Sequence, residues 1–325
     1  MKTGGSIDFS TEAHLGIHRN DIMTLSKQRN LGLTFAGGGN RAFYQMGLMH
    51  VWGERLIART AAVAACSAGA CVITTWLAGR SSETFTFWRG RRAHVKKNIT
   101  WSGLFGGSLA PHAPIYRDTL RFAFAEGGFE KIKRQPFPIW ILCAKVPRGL
   151  RNALGFFLGL MAYSVEKRLK PATIHPSFGK KLGFKSFVMD ARQCDSSEEL
   201  TDLILASSAT PPFTPALRMR GCSLLDGGLV DNVPAFVVDR FSPGLSNIVF
   251  LTRPYPAPCL GIKGKRLYLA PTKPVPVQRW DYTQPHLVAE TINMGEREGV
   301  THRPLLERFL SEASTVTREE GLVAR

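Results

Sequence analysis

Apolar and polar residues alternate in a regular order in the stretch that follows the polar N-terminus. The apolar run Leu31–Phe35 predicts a short buried strand, and apolar residues at helical spacing from Met46 to Leu56 predict an amphipathic helix after it. Ala61–Ala65 predicts a second strand and Ala68–Leu77 a second helix. Strands and helices in this alternation are typical of a parallel sheet with right-handed crossover connections. The pattern therefore predicts an α/β fold.

Three later apolar runs predict further strands. They are Pro138–Val146, Ser223–Asp226 and Asn247–Thr252, of which the second ends in a carboxylate before two glycines. Between them, Asp195–Glu199 has the sequence of a capping box, which predicts the start of a helix. The stretch Pro254–Pro276 contains six prolines and predicts a loop, and most of the remaining chain has a helical pattern.

A run of three glycines carries the first candidate chemistry. Gly37, Gly38 and Gly39 follow the first predicted strand and precede a helix, so their amides have no side chain in front of them and lie at the positive end of a helix dipole. The same loop fits the loose dinucleotide-binding pattern G-x-G-x-x-A, which ends at Ala42. That fold uses an acidic residue after the second strand to bind ribose, and Thr60–Leu77 contains none. We therefore favour an anion-binding loop over a dinucleotide site.

A serine follows the second predicted strand. Ser67 lies in the sequence Ala65-Cys66-Ser67-Ala68-Gly69, which is a G-x-S-x-G elbow with alanine in place of its first glycine. A serine on such a strand-turn-helix elbow points clear of its neighbours, where an acyl group can reach it. An oxyanion-binding loop and an exposed serine are two of the three parts that acyl transfer needs.

The third part is a general base, and the sequence offers two candidates. An α/β-hydrolase would place an aspartate and then a histidine after the serine, but the later histidines, at positions 94, 112, 175, 286 and 302, have no distinctive context. Asp226 is better placed because it ends a predicted strand before a Gly-Gly turn. A carboxylate can take the proton directly if it contacts the Ser67 hydroxyl while backbone amides stabilise the oxyanion. This dyad predicts that loss of His286 or His302 leaves activity intact, whereas a triad predicts the reverse.

Four motifs in this order resemble the patatin-like phospholipases. They are Gly37-Gly38-Gly39-Asn40-Arg41, Ala65-Cys66-Ser67-Ala68-Gly69, Ala206-Ser-Ser-Ala-x-Pro, and Asp226-Gly227-Gly228 followed by Asp231-Asn232-x-Pro234. Each motif alone is a weak signal, but the set is specific and spans about residues 31–240. Members of that family are lipid acyl hydrolases with a Ser-Asp dyad on a three-layer α/β/α fold with a mainly parallel central sheet. The resemblance therefore implies this fold and this activity.

Motif by motif, the resemblance assigns roles to residues of this chain. It implies Ser67 as the nucleophile, Asp226 as its base and the amides of Gly37–Gly39 as the oxyanion hole. It places Arg41 near the glycine loop, where it would bind substrate phosphate, and it implies no metal and no cofactor. Asp231 is interpreted as a helix cap rather than a catalytic group.

Two alanines depart from the family pattern. Ala42 replaces the glycine that usually follows the basic residue, and Ala65 replaces the first glycine of the elbow. Both changes are small, so they bear on rate and loop geometry more than on mechanism. Residues 1–29 are polar and are interpreted as an N-terminal arm, either loose or a short helix, and the resemblance implies a patatin-like catalytic domain over 30–325. A basic and apolar region at about 80–190 matches none of the motifs and is interpreted as an insertion.

The charge of the chain indicates an anionic partner. The sequence has 42 Lys and Arg against 25 Asp and Glu, a formal net charge of +17. A surplus of this size favours nucleic acid or a membrane with acidic lipids, and a merely soluble basic surface is the plain alternative. No nucleic-acid-reading module is recognisable, so we expect no nucleic-acid partner. We expect an acyl-lipid substrate and an anionic membrane surface, while any activating protein partner is left open.

Two segments are candidates for contact with such a surface. Arg89–Lys97 is a basic run near several aromatic residues, which indicates either a solvated face or an interfacial, phosphate-binding role. Asn152–Tyr163 is apolar on nearly all sides and has basic residues before and after it. It is too short to span a bilayer, and it is either a segment that dips into an anionic interface or a buried core helix.

No targeting feature stands out at the N-terminus. Met1–Ser10 lacks an apolar core typical of a secretory signal, and no window reaches the roughly 18 to 20 apolar residues of a membrane span. The six cysteines lack metal-binding spacing and are typical of free thiols in a reducing compartment. We therefore expect a cytoplasmic protein that is soluble or peripheral on membranes.

The sequence thus predicts a serine esterase of the phospholipase A type. It would cleave fatty acyl esters of phospholipids or related lipids through an acyl-Ser67 intermediate. A different class of function is also compatible with the sequence: a catalytically impaired relative that binds an anionic membrane or a protein partner. Activation of Ser67 separates the two hypotheses, because only the enzyme needs it.

Overall fold

The computed structural model describes residues 29–99, 110–147, 172–175, 178–211 and 213–323. The expected N-terminal arm up to residue 28 and the apolar segment Asn152–Tyr163 lie outside the described residues.

Nine strands of the described chain form one sheet. In chain order they are β1 (Leu31–Phe35), β2 (Thr60–Cys66), β3 (Ile139–Lys145), β4 (Lys185–Asp190), β5 (Leu217–Met219), β6 (Cys222–Asp226), β7 (Ser246–Phe250), β8 (Gly261–Lys263) and β9 (Arg266–Leu269). The spatial order is β5-β6-β3-β2-β1-β7-β9-β8, and β4 also pairs with β3. The central pairings from β3 to β9 are parallel, and the outer ones are antiparallel. The predicted strands at the centre of the sheet are confirmed.

The α-helices of the described chain are distributed along the whole sequence. They are α1 (Phe43–Arg59), α2 (Ala68–Leu77), α3 (Ser81–Arg92), α4 (His112–Phe124), α5 (Gly128–Lys133), α6 (Phe178–Lys181), α7 (Ser197–Ser207), α8 (Gly228–Asp231), α9 (Ala235–Phe241) and α10 (Pro285–Val323). The capping box forms as predicted, because the Ser196 hydroxyl accepts the Glu199 N–H and the Glu199 carboxylate accepts the Asp195 N–H. The described residues between 80 and 190 contribute helices and also β3 and β4, which belong to the same sheet as β1 and β2.

Helices cover both faces of the sheet, which explains why the central strands are apolar without interruption. In β1, Leu33 and Phe35 face the large core shared with α1, α2 and α10. On the other face Gly32 lies so close to α9 that a Cβ would come within 2.6 Å of the Val238 side chain. Strands buried on both faces lose the alternation of apolar and polar residues. The predicted three-layer α/β/α architecture is confirmed.

The expectation of a plain loop over Pro254–Pro276 is wrong. This stretch contains β8 and β9, and β9 pairs in parallel with β7 over Asn247–Phe250. The six prolines lie before β8 and after β9, so none of them interrupts the ladder. The sequence pattern does not indicate these strands, because they are only three and four residues long. Their backbone hydrogen bonds are made with each other and with β7.

Asp231 does not cap the next helix. It is the last residue of α8, and α9 begins only at Ala235. The Asp231 carboxylate accepts the Val233 N–H at 2.9 Å and contacts Nδ1 of His175 at 3.0 Å. Its role is to fix the turn between the two short helices.

Arg92 divides the basic run Arg89–Lys97 into an exposed part and a buried part. Arg89, Lys96 and Lys97 are exposed, but Arg92 is completely buried. Its guanidinium lies 3.9 Å from the Trp88 ring and 4.4 Å from the Tyr282 ring, and it donates to the carbonyl oxygens of Asp281 and Tyr282 at 2.6 and 3.0 Å. Burial lowers the pKa of Arg92 to about 10. Arg92 therefore links α3 to the segment before α10 and is a structural residue.

Replacement of Arg92 by methionine is expected to lower the free energy of unfolding by about 2 kcal/mol. The variant loses two charge-assisted hydrogen bonds and two ring contacts, and relief from burying a cation offsets only part of that loss. Urea denaturation of both proteins measures the difference. The exposed neighbour Arg89→Met is the matched control and should stay within about 0.5 kcal/mol of the wild type. Equal stability of all three proteins would contradict the structural role of Arg92.

Candidate active site

The register of the sheet brings the ends of β2 and β6 to the same place. Cys66 in β2 aligns with Leu142 of β3, and Asp226 in β6 aligns with the next residue, Cys143. β2 runs parallel to β3 and ends beside Leu142, whereas β6 runs antiparallel to β3 and ends beside Cys143. The last residues of β2 and β6 therefore lie next to each other. Ser67, which follows β2, and Asp226 are therefore neighbours although 159 residues separate them in the chain.

The Ser67 hydroxyl donates to Oδ2 of Asp226 at 2.8 Å. The other carboxylate oxygen, Oδ1, accepts the Gly228 N–H at 2.7 Å and lies 3.9 Å from the Cys66 thiol. Ser67 is 2% exposed and Asp226 3% exposed. Burial raises the pKa of Asp226 above its ordinary value, and the nearby Arg279, the Gly228 N–H and the Ser67 hydroxyl each oppose this rise. The result is a desolvated carboxylate in contact with a serine.

Ser67 occupies a strained turn between β2 and α2. Its backbone φ of 53° is positive, which is uncommon for a residue other than glycine. The Ser67 N–H donates to the hydroxyl of Ser207 at 2.8 Å, and that hydroxyl donates to the Leu142 carbonyl at 2.6 Å. Gly69 follows at a point where a Cβ would come within 2.6 Å of two carbonyl oxygens of the β1 end. Ser207 and Gly69 thus hold the elbow against the sheet, and the replaced position Ala65 is fully buried within β2.

The glycine loop lies directly against this elbow. A Cβ on Gly37 would be 3.1 Å from Cβ of Ser67. The Gly37 N–H donates to the Asn232 carbonyl at 2.9 Å, and the Gly37 carbonyl accepts from the Asn232 amide and the Thr252 hydroxyl, both at 2.8 Å. Within the described residues the N–H groups of Gly38 and Gly39 have no hydrogen-bond partner. Of the three predicted oxyanion donors, Gly38 and Gly39 therefore have amides available, whereas Gly37 anchors the loop.

Packing explains why the loop consists of glycines. A Cβ on Gly38 would come within 2.7 Å of the Thr252 Cβ. Gly39 has a φ of 57°, and a Cβ there would overlap the carbonyl oxygen of Arg279. The loop is thus enclosed by Thr252, which follows β7, on one side and by the segment before α10 on the other.

A cavity of about 80 Å³ opens beside Ser67. It extends between the N-terminal part of α1 and the helices α2, α3 and α4. Most of its lining is apolar or aromatic, with Met46, Val72, Phe85, Trp88 and Phe213 among the lining residues. A cavity whose surface is mainly apolar suits an acyl chain whose ester lies at Ser67.

Two arginines lie near the glycine loop. Arg41 is beside it as expected, and its Nε donates to the Gly38 carbonyl at 3.3 Å. In the described part of the chain, however, the arginine that lines the cavity together with Ser67 is Arg279. Arg279 has no signal in the sequence, because it lies in an irregular segment far from every motif.

None of the described histidines forms a triad with Ser67. Among the described residues, the side-chain partner of the Ser67 hydroxyl is Asp226. His112 lines the same cavity, but its Nε2 is bonded to the Trp280 carbonyl at 2.8 Å, and burial lowers its pKa. His175 contacts Asp231 and Tyr268 instead. The carboxylate is thus the base candidate that the geometry favours over a histidine.

Other features of the described chain complete the description of the site. No helix in it is both long enough and apolar enough to cross a bilayer, and no group of His, Cys, Asp and Glu in it is arranged to hold a metal ion. The six cysteines form no disulfide.

Three residues that support the site have no role assigned from the sequence. Ser207 and Asn232 belong to recognised motifs, which is a usable signal, whereas Thr252 has none.

Comparison with known proteins gives a match to one family model. The family model described as Patatin-like phospholipase matches residues 33–239, which include the glycine loop, Ser67 and Asp226. A search of curated proteins found no significant match. Since the matched range exceeds half of the 325 residues, the chain belongs to the patatin-like phospholipase family.

Proposed function

We propose that the protein hydrolyses fatty acyl esters of phospholipids or related lipids, with Ser67 as nucleophile and Asp226 as general base. The observation that carries this proposal is the 2.8 Å hydrogen bond from the Ser67 hydroxyl to the buried Asp226 carboxylate. Membership of a lipid acyl hydrolase family gives the reaction class. The apolar cavity beside Ser67 gives the acyl chain a place.

The positions of the groups support the following reaction. Asp226 takes the Ser67 proton as Oγ attacks the ester carbonyl, and the carbonyl oxygen becomes an oxyanion that accepts the N–H groups of Gly38 and Gly39. The proton then passes to the leaving alcohol as the C–O bond breaks, which leaves an acyl-serine. Asp226 then deprotonates a water molecule, which attacks the acyl carbonyl; the bond from that carbon to Ser67 Oγ breaks, the proton passes from Asp226 to Oγ, and the fatty acid is released.

The pKa of Asp226 supports this role. A serine hydroxyl is far less acidic than a carboxylic acid, so the proton moves only as the oxyanion forms. Burial raises the pKa of Asp226 and so makes it a stronger base than an exposed aspartate. The Gly228 N–H on Oδ1 orients the carboxylate so that Oδ2 stays directed at Ser67.

The charge of the chain supports a membrane surface as the place of action. The net charge of +17 would attract the protein to acidic lipids, and the exposed Arg89, Lys96 and Lys97 are part of that charge. Arg41, next to the glycine loop, is a candidate for binding substrate phosphate. A catalytically impaired protein that binds anionic membranes would use the same positive charge. The two hypotheses differ in whether the Ser67 hydroxyl is activated as a nucleophile.

Labelling with a fluorophosphonate separates these two functions. We expect wild-type protein to react covalently at Ser67, because attack on phosphorus needs the same activated hydroxyl and oxyanion donors as attack on an ester. The same preparation should release fatty acid from phosphatidylglycerol vesicles, as measured by mass spectrometry. Vesicle binding without labelling and without fatty-acid release would favour the impaired membrane-binding protein.

A further inference from the structure

Arg279 is fixed on the glycine loop by its backbone. It lies between β9 and α10, and its carbonyl oxygen accepts the Asn40 N–H at 3.0 Å. A Cβ on Gly39 would come within 2.9 Å of Cγ of Arg279, so the side chain begins directly over the loop. From there it lines the cavity that also contains Ser67. A cation is thus held beside the candidate oxyanion donors.

Among the described residues, the Arg279 guanidinium has no partner that would explain its position. It lies 5.0 Å from the Trp280 ring, but it forms no hydrogen bond or ion pair with any described residue. Its Nε is buried and has no hydrogen-bond acceptor. Arg92 also has one buried nitrogen without an acceptor, Nη1, but its other two nitrogens bind two carbonyl oxygens. A buried donor without an acceptor destabilises the protein, and a ligand that accepts the hydrogen bond would remove this penalty.

The nearby charge of Asp226 does not supply that acceptor. Arg279 is close enough to Asp226 to oppose the rise in the pKa of the carboxyl, but the two form no hydrogen bond in the described chain. The Asp226 oxygens are instead engaged by Ser67 and by Gly228. The guanidinium therefore retains its donors for a group that enters the cavity mouth.

We infer that Arg279 binds the phosphate of the substrate and makes the enzyme selective for acyl esters that carry a phosphate close to the scissile carbonyl. This inference rests on the proposed function. A guanidinium offers paired N–H donors that match two phosphate oxygens. Phospholipids and lysophospholipids have such a phosphate on the same glycerol unit as the ester, and neutral glycerides do not. Arg41 is the other candidate, but its Nε is already bonded to the Gly38 carbonyl.

The test compares two substrates that differ only in phosphate. Dihexanoyl phosphatidic acid and dihexanoyl glycerol are used below their critical micelle concentrations, so that adsorption to a lipid surface does not contribute. Loss of the Arg279 charge also changes the pKa of Asp226. Assays at alkaline pH keep Asp226 ionised in every variant, so this change does not affect the comparison. Arg279→Gln should lower kcat/KM for the phosphatidic acid by about 30-fold, mainly through KM, and change kcat/KM for the neutral ester less than about 3-fold. Arg279→Lys should lie between the wild type and Arg279→Gln because it keeps the charge but loses the paired donors.

Matched variants and a binding measurement make the result decisive. The exposed Arg218→Gln on β5 should leave both substrates unaffected, and Arg41→Gln shows whether the second arginine has the larger effect. Equal losses on both substrates, or a selective loss only in Arg41→Gln, would overturn the assignment. If the wild type hydrolyses neither ester, the proposed function fails.

A binding measurement decides the role of Arg279 even in that case. Binding of the phosphatidic acid is compared between Ser67→Ala and the double variant that also carries Arg279→Gln. We expect about 30-fold weaker binding in the double variant, and equal binding would refute the role of Arg279.

Discussion

Replacement of Ser67 by alanine is expected to lower kcat for fatty-acid release by at least about 10⁴-fold. The variant has no oxygen that can form the acyl intermediate, and only the oxyanion donors and the cavity remain to assist direct attack by water. The fold should be unaffected, because alanine meets the same backbone strain at position 67 and keeps the N–H that donates to Ser207. Fatty-acid release and fluorophosphonate labelling measure the effect.

Vesicle binding separates loss of chemistry from loss of the protein surface. Ser67→Ala should bind phosphatidylglycerol vesicles as tightly as the wild type, since Ser67 is buried and contributes nothing to the basic surface. Ser82→Ala, an exposed serine on α3, serves as the control for substitution itself and should retain full activity. Fatty-acid release by Ser67→Ala at the wild-type rate would refute the nucleophile assignment, whatever the vesicle binding shows.

The sequence identifies the two central residues of the site because each has a local signal. Ser67 follows a strand and precedes a helix with Gly69 at the close contact, and Asp226 ends a strand before two glycines. The carboxyl ends of parallel strands lie at one edge of a sheet, but β6 is antiparallel to β3, so the predicted fold class alone does not bring the two residues together. Their proximity is implied by the resemblance of the motifs to the family. What the sequence does not contain is the register by which Cys66 and Asp226 align with consecutive residues of β3.

The groups that position this pair have weaker signals or none. The Thr252 hydroxyl and the Arg279 backbone enclose the glycine loop from segments more than 200 residues further along the chain. The use of the Gly37 N–H by Asn232 is a similar long-range contact, and it decides which amides remain for an oxyanion. Such contacts depend on the packed fold and not on local propensity. This also applies to Arg92, which belongs to a basic run but is enclosed by Trp88 and Tyr282.

The charged groups near Ser67 combine two opposing effects. Enclosing Asp226 makes it more basic, and this costs free energy because the ionised form has lost its water. Arg279, the Gly228 N–H and the Ser67 hydroxyl recover part of that cost. A site built this way should be less stable, but more reactive, than the same fold with a neutral side chain at position 226.

Asp226→Asn is therefore expected to lower kcat by about 10⁴-fold and to raise the melting temperature at neutral pH by about 2 °C or more. Asparagine is close in shape and can still accept the Gly228 N–H, but it cannot take the Ser67 proton. Because burial raises the pKa of Asp226 in the folded state, the wild type loses stability as the pH rises from the ordinary aspartate range through the folded pKa. Asparagine does not titrate, so the variant does not share this loss.

Thermal unfolding of both proteins from pH 4 to pH 8 measures that difference. The two melting temperatures should be closest at the acidic end, near the ordinary pKa of an aspartate, and should separate in favour of the variant as the pH rises. Asp195→Asn, which changes an exposed aspartate, should follow the wild type throughout. A variant that is less stable than the wild type at pH 8 would mean that Arg279 and the hydrogen bonds more than offset the desolvation of Asp226. The carboxylate would then be a stabilised anion, and burial could not be the reason that it acts as a base.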